Sequence, residues 1–556
     1  MTHGHNDTAL SETTPLVSSS HRRRPSQVAT METLLDIVPS NNSNEKEEEE
    51  DEEVPHRHHG TTRRQTILNI MKTCMGTGCL ALTFACQQSG ILVYSIGSIL
   101  IASWNLMSVQ RLVKCRQHIT NQQRQQQQQS SSSSVTKKRP PPEGTSWLGQ
   151  VAWYSFGNVG LQVLDSVMIC LLLGIILTYT TACWSFLQDS LQAFITTTTT
   201  TTTSTDTTST TFLSVTQMVL ALLLVMALTI LSVVPDLGYL THVSALGLAL
   251  LFATFGIVVL YGRLLLLGQQ NENDSMETID DTNSITNKTT YDTWPVWPSS
   301  WSGMAQWFGV VVFGFGVVPL TFNFQDSMAQ PSQMVSTTGQ ALGYVVLIYW
   351  IMGMGLLSLY PNLTGDVLHE LPTGNELPLL TTNDNDGPSS SVFLQHVLLW
   401  LPIVTRWAMT SVVVMTAPLL VVPCGELVEG KFGITHHRIL VRTLICLLAV
   451  SIAILLPSGF VQVLSFVGSA CVGTVSFILP PLFHLKLAID ANDNDGTIED
   501  DSQSTTTTTI TTQRRRRSSV VSVAITTPSY WLDVLLLLVG TSVTVFCTML
   551  SLRGSS

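Results

Sequence analysis

The sequence predicts an all-α membrane protein of about eleven transmembrane helices. Three observations predict it. Only 12% of the residues are charged, whereas soluble domains carry about 25%. Uncharged apolar runs recur along the chain, each of about 20 residues, enough to cross a bilayer as a helix. Only helices and closed barrels satisfy their backbone groups in lipid, and these runs are too long for barrel strands.

Residues 1–65 read as a disordered tail, rich in Ser, Thr, His and Glu. The tail lacks an apolar core, so it is not a cleaved signal peptide, and the first span acts as the insertion signal. The acidic run from Glu45 to Glu53 supplies much of the formal charge of −11. Such a run is read as a solvated tail rather than a partner site.

The predicted spans lie at 67–88, 91–113, 161–187, 213–234, 241–267, 305–326, 339–360, 395–423, 438–457, 460–484 and 529–551. The membrane domain thus occupies 66–552. Its connections at 114–147, 189–212, 268–303, 361–392 and 485–528 are rich in Gln, Ser, Thr or other polar residues and read as low-complexity loops.

Basic residues set the expected orientation. With the N-terminus in the cytosol, the tail, Lys114 to Arg139, Lys431 and Arg514 to Arg517 all fall inside. The outer loops hold Lys288, as the positive-inside rule predicts. The sequons at Asn273, Asn287 and Asn362 then fall in outer loops; Asn6 and Asn41 also match but sit in the tail. The ten cysteines lie in or beside spans and read as small apolar residues, not a disulfide framework.

Two spans share a pattern. Span 1 contains Gly76-Thr77-Gly78-Cys79-Leu80-Ala81-Leu82-Thr83-Phe84. Span 6 contains Gly314-Phe315-Gly316-Val317-Val318-Pro319-Leu320-Thr321-Phe322. Both read Gly-x-Gly-x-x-x-Leu-Thr-Phe, mid-span and five spans apart, as two five-span halves inserted in opposite orientation would give. A mid-helix glycine costs about 1 kcal/mol relative to alanine, so each pair invites unwinding. Freed backbone groups are tolerated at membrane depth only where they line a cavity. Half-helix ends then face an anionic group with N–H and a cation with C=O. An α-amino acid carries both groups. The competing reading is close helix packing of the GxxxG kind; the paired, centred placement favours transport, with the two Gly-x-Gly pairs at its site.

Ionisable residues inside spans are functional candidates. Lys72 lies one turn before Gly76, with Asn69 on the same face. Two roles fit Lys72: a stand-in for a coupling cation or a titrating group, and a side chain snorkelling to the interface. Arg406 pairs with an acidic loop residue or shapes the outer opening. Asp165 and Asp326 read as interfacial or gating. Thr416, just before Pro418, is an ion ligand or bonds a carbonyl of its own helix. The glycine pairs follow no strand, so no phosphate-binding fingerprint applies, and nothing marks an enzyme, a metal site or a nucleic-acid partner. The expected partners are an amino acid substrate and the bilayer, with H⁺ or Na⁺ as coupling ion and no cofactor.

Asn69 to Gly90, NIMKTCMGTGCLALTFACQQSG, resembles the first span of the amino acid/auxin permease family, closest to its proton-coupled branch. Leu112-Val113-Lys114-Cys115 is similar to that branch too. Arg406-Trp407-Ala408 through Pro423 resembles span 8 of the sodium-coupled neutral amino acid branch. Leu464-Ser465-Phe466-Val467-Gly468-Ser469 resembles span 10 across the family. The resemblance implies a LeuT-like fold with a 5+5 inverted repeat, broken helices 1 and 6 and an extra C-terminal helix. It implies proton- or sodium-driven transport of amino acids, with substrate held at the two unwound segments, which carries over to Gly76, Thr77, Gly78, Phe313, Gly314, Phe315 and Gly316, and with Thr416 matching a Thr near the sodium site. Thr83 stands where the family usually has Pro. Asn69 replaces a His of the proton-coupled branch, and Lys72 replaces an Asn of the sodium-coupled one. A lysine charge repels Na⁺, which tilts the expectation toward proton-coupled symport of small neutral amino acids. Glu12 to Val17 resembles an acidic dileucine signal, so the expected membrane is vacuolar, lysosomal or plasma.

Overall fold

The computed structural model describes residues 60–129, 140–142, 144–199, 207–233, 239–276, 295–361, 363, 365–371, 390–433, 437–456, 459–495 and 528–553. The acidic run, the dileucine-like segment, the arginine run and the sequons at Asn6, Asn41, Asn287 and Asn362 lie outside these residues. Asn273 falls in the last turns of Tyr239–Met276.

The described chain is helical, and the expected spans are all present. Ten helical stretches are long and apolar enough to cross a membrane. An eleventh is the pair Arg63–Cys74 and Thr77–Ser89, bent by 55°. Span 1 is this bent pair. Spans 2 to 5 are Ile91–Gln129, Trp147–Thr199, Thr207–Val233 and Tyr239–Met276. Span 6 is Trp301–Gly314 followed by Thr321–Ser327, and span 7 is Met334–Leu357. Span 8 is Ser390–Thr416 continued by Pro418–Phe432, and span 9 is Arg438–Leu455. Span 10 runs from Phe460–Val467 to Leu479–Asp495, and span 11 is Pro528–Arg553. Successive spans alternate direction. The face where span 1 begins is called the N side, and the opposite face the far side.

Several boundaries differ from the expected ones. Helix begins at Arg63, inside the expected tail, because Thr62 and Gln65 form a capping box. Gln65 Oε1 accepts from the Thr62 amide at 2.9 Å. Spans 2, 3, 5 and 10 run into the connections expected to be loops, as far as Gln129, Thr199, Met276 and Asp495. An apolar run marks what lipid requires; a helix already nucleated propagates beyond it through Lys, Gln and Arg, which favour helix. Span 3 also gains a leading segment from Trp147, kinked at Gly157, where φ is 65°.

Burial forms two bodies. One core is built mainly from spans 1, 2, 6, 7 and 10, around Tyr94, Val311, Phe315 and Tyr349. A second joins spans 3, 4, 8 and 9 around Ile176, Leu224, Val421 and Cys446. Met218 and Leu222 of span 4, Leu448 of span 9 and Leu538 of span 11 are exposed. On helices this apolar, such faces suit hydrocarbon.

Spans 6 and 10 cross with their backbones in contact. A Cβ on Gly468 would overlap the Gly309 carbonyl, and one on Gly309 would overlap that of Ser465. Span 10 is π-helical at this crossing, over Gly468–Val472 and Thr474–Ile478. π turns widen a helix locally and concentrate at functional sites.

Asp533 pins span 11 to its neighbours. Asp533 is buried and takes Arg111 Nε of span 2 at 2.5 Å and His484 Nδ1 of span 10 at 2.6 Å. On the N side, Arg116 pairs with Asp326 at 2.5 Å and stacks 4.2 Å over the Trp147 ring. There, too, Thr61 forms a parallel bridge with Met328. These contacts tie the start of span 1 to the end of span 6. Asp326 is therefore an interfacial ion-pair member.

Candidate functional site

Both glycine pairs sit at real breaks. The first half of span 1 ends at Cys74. Met75 leaves helical geometry at φ −87°, ψ 72°, and Gly76 is extended at φ −107°, ψ −162°. The chain restarts as a 3₁₀ turn, Thr77–Ala81. In span 6 the first half ends at Gly314, Phe315 adopts φ −90°, ψ 21°, and a 3₁₀ turn Val318–Leu320 carries Pro319 at its start. Proline lacks the N–H that a continuous helix would need.

One side chain joins the two breaks. The Tyr349 hydroxyl of span 7 lies 2.8 Å from the Cys74 carbonyl and 3.0 Å from the Gly314 carbonyl. These are the terminal carbonyls of the two half-helices, which lack intrahelical donors. One phenolic proton is shared between them. Tyr349 is fully buried, its ring 5.1 Å from that of Phe315. Its own carbonyl accepts from the Tyr94 hydroxyl of span 2 at 2.8 Å.

The breaks also touch directly. A Cβ on Gly78 would stand 3.2 Å from Phe313 Cδ1. Gly76 faces span 3: the nearest atom to a Cβ there is the Tyr179 hydroxyl, at 3.8 Å. Gly76, Phe313 and Gly316 keep partial exposure, while Thr77, Gly78, Gly314 and Phe315 are buried. The Thr77 hydroxyl has no hydrogen-bond partner among the described residues. All seven expected residues lie at the two breaks. Gly314 and Phe315 pack against Tyr349, Gly78 against Phe313, and Gly76, Phe313 and Gly316 keep partial exposure beside the buried Thr77.

The sequence from 59 to 497 matches the family described as transmembrane amino acid transporter protein. The chain belongs to that family. Curated relatives come from Arabidopsis thaliana. Amino acid transporter AVT3A is 28% identical over 184 residues, 32% of this chain and 38% of the relative. AVT3C is 25% identical over 178 residues, covering 32% and 35%, and AVT3B is 24% identical over 195, covering 34% and 41%. The chain thus aligns with roughly two fifths or less of each relative's length.

The remaining candidates of this transporter-family chain are placed as follows. Asn69 and Lys72 lie on the first half of span 1, both half-buried, and neither side chain has a bonded partner among the described residues. Thr416 Oγ1 bonds Val412 O and Val413 O of its own helix, each at 3.0 Å, just before the interruption at Ala417. Asp165 lies near Lys431, whose ammonium reaches Gln162 O at 3.3 Å and the Ser166 hydroxyl.

Among the described residues, Arg406 forms no ion pair with a loop carboxylate. It is fully buried; its Nε and Nη2 donate to the carbonyls of Leu368, at 3.2 Å and 2.9 Å, and Leu371, at 3.0 Å, while Nη1 has no hydrogen-bond partner among the described residues. Leu363 and residues 365–371, expected as part of a low-complexity loop, are instead packed. Val367, Leu368 and Leu371 are buried, and the Val367 amide reaches Leu80 O of the broken span 1 at 3.4 Å. An apolar alternation this short is invisible between polar flanks, and a buried guanidinium can anchor it only because it offers a rigid fork of donors.

Sequence reading did not single out Tyr349, Tyr94, Tyr179, Arg111, His484 or Asp533. Tyrosine in spans normally marks the interface, so the mid-span position of Tyr349 in Met334–Leu357 was the available signal for that residue.

Proposed function

We propose that this protein is a secondary carrier of small neutral amino acids, driven by protons. The observation that carries the reading is the pair of broken helices joined by Tyr349. The restarted half of span 1 presents the amides of Thr77 and Gly78, which suit a carboxylate. The C-terminal end of Trp301–Gly314 presents carbonyl dipoles, which suit an ammonium group. Tyr179 stands beside Gly76 and Phe313 beside Gly78, and this aromatic surround suits a small neutral side chain. Binding needs no charged residue at the site, as a zwitterion requires.

The two buried bodies support alternating access, with spans 1, 6 and 7 rocking against spans 3, 4, 8 and 9. The bias of basic residues assigns the N side to the cytosol and the far side to a lumen or the exterior. Lys72, half-buried without a bonded partner one turn from the break, favours H⁺ over Na⁺ by repulsion.

The test is uptake of a labelled amino acid mixture into proteoliposomes under a proton gradient, a sodium gradient and none, with Gly76→Leu alongside. Proton-driven uptake that Gly76→Leu abolishes supports the reading. Uptake driven by sodium alone replaces the coupling ion. Binding without uptake under every gradient replaces transport with sensing.

A further inference from the structure

The far-side segment of Leu363 and residues 365–371 covers the restarted half of span 1. Its backbone is held by Arg406 of span 8, its Val367 amide by Leu80 O, and its Leu363 amide by Gln87 Oε1 at 3.1 Å. Asp366 sits inside this packing at 4% exposure. Its Oδ1 accepts from the His369 amide at 2.8 Å, and its Oδ2 has no hydrogen-bond partner among the described residues. His369 Nδ1 lies 3.1 Å from Asp189 Oδ2 at the far end of span 3.

A carboxylate buried with one bare oxygen is expensive. Arg406 is the nearby cation from span 8, but its bonds go to carbonyls, and it makes no ion pair with Asp366 among the described residues. The other charged or titratable groups facing the cluster are Asp189 from span 3 and His369 and Glu370 from the segment itself. Arg406, whose Nη1 has no partner among the described residues, and His369 offset the Asp366 charge only in part; a proton on Asp366 removes what remains of that cost and turns the bare oxygen into a donor.

We propose that Asp366 is a proton-binding site that closes the far-side gate: a proton taken from the far-side compartment docks residues 365–371 over the broken span 1, and its loss releases them. This deepens the carrier reading and rests on it for the meaning of the gate.

The direction of the pH effect follows from both groups. Burial pushes the Asp366 carboxyl up to about 6, so docking binds its proton more tightly than the undocked segment does. The contribution is gained as pH falls through that value toward the ordinary carboxylate range and is absent above it. The hydrogen bond to Asp189 raises the His369 imidazole. Its contribution is present in acid and lost as pH rises through the raised value. The two groups act with the same sign, and acid closes the gate.

The experiment is hydrogen exchange of the full chain in nanodiscs at pH 5 and pH 7.5, corrected for intrinsic rates, reading peptides that span Leu363 to Leu371. Wild-type protection is expected to be about tenfold higher at pH 5 from Asp366 alone. Asp366→Asn, neutral at both values, is expected to lose most of that dependence, and adding His369→Gln to lose the rest. Equal wild-type protection at both values overturns the proposal, as does a pH dependence undiminished in Asp366→Asn. The wild-type pair decides even if a variant does not fold. If the segment responds to pH while no gradient drives uptake, the gate stands and the carrier reading falls; uptake beside a pH-insensitive segment gives the converse.

Discussion

Gly314 and Tyr349 are fitted to one another. The Gly314 carbonyl lies 3.0 Å from the Tyr349 hydroxyl, and a Cβ on Gly314 would stand 2.5 Å from the same oxygen. The glycine at the second break is thus required by the phenol that serves both breaks, apart from any role in unwinding.

Gly314→Ala is therefore expected to push Tyr349 off both carbonyls. Gly76→Ala has open space, with its nearest neighbour at 3.8 Å. Thermal unfolding in detergent should show a clear loss for Gly314→Ala and little change for Gly76→Ala. Equal losses would show that unwinding alone governs these positions.

Tyr349→Phe removes the donor shared by the Cys74 and Gly314 carbonyls; Cys74 O keeps the Gly76 amide at 3.1 Å, so the Gly314 carbonyl is the one left bare. An unsatisfied buried acceptor costs about 1–3 kcal/mol. The variant should insert normally, melt earlier and lose at least tenfold in uptake rate. Wild-type uptake from Tyr349→Phe would mean that the phenol is structural only.

Asp533→Asn leaves Arg111 buried without its counter-charge. Breaking a buried pair by removing one partner costs about 3–5 kcal/mol, while replacing both with apolar groups is often neutral. Denaturation should show Asp533→Asn strongly destabilised. The double variant Asp533→Leu, Arg111→Met should recover much of the difference. A double variant as unstable as the single one would place the cost elsewhere.

Arg406→Lys retains the charge but not the fork that reaches Leu368 and Leu371 together. Exchange protection of the Val367 amide should fall as far in Arg406→Lys as in Arg406→Leu. Full protection in the lysine variant would mean that charge alone holds the segment.

Lys72→Met removes the cation beside the first break. Proton-driven uptake should lose its dependence on the gradient while exchange of bound substrate persists. Unchanged gradient dependence would assign Lys72 to snorkelling.

The architecture was largely legible because each span declares its own solvent. The apolar runs located every helix, and the repeated Gly-x-Gly located both breaks. The Thr62 and Gln65 capping box was also readable and would have moved the first helix start to Arg63. Partners were not legible. Arg111 and Asp533 meet across 422 residues of sequence, and nothing in either local pattern names the other. Tyr349 reads as one more aromatic in an apolar helix until the carbonyls it serves are in view. The segment of Leu363 and residues 365–371 shows no periodicity, since its order comes from Arg406 and Leu80 rather than from itself.

The backbone crossing of Gly309 and Gly468 has a kinematic meaning. Two rods touching main chain to main chain, with no side chain between them to act as a bearing, cannot slide or roll past each other. Trp301–Gly314 and Phe460–Val467 therefore behave as one lever arm, and torque reaching span 10 arrives at the Phe315 joint undiminished. Distances measured between spin labels on these two segments should stay constant through the transport cycle, while labels placed on either side of the joint change.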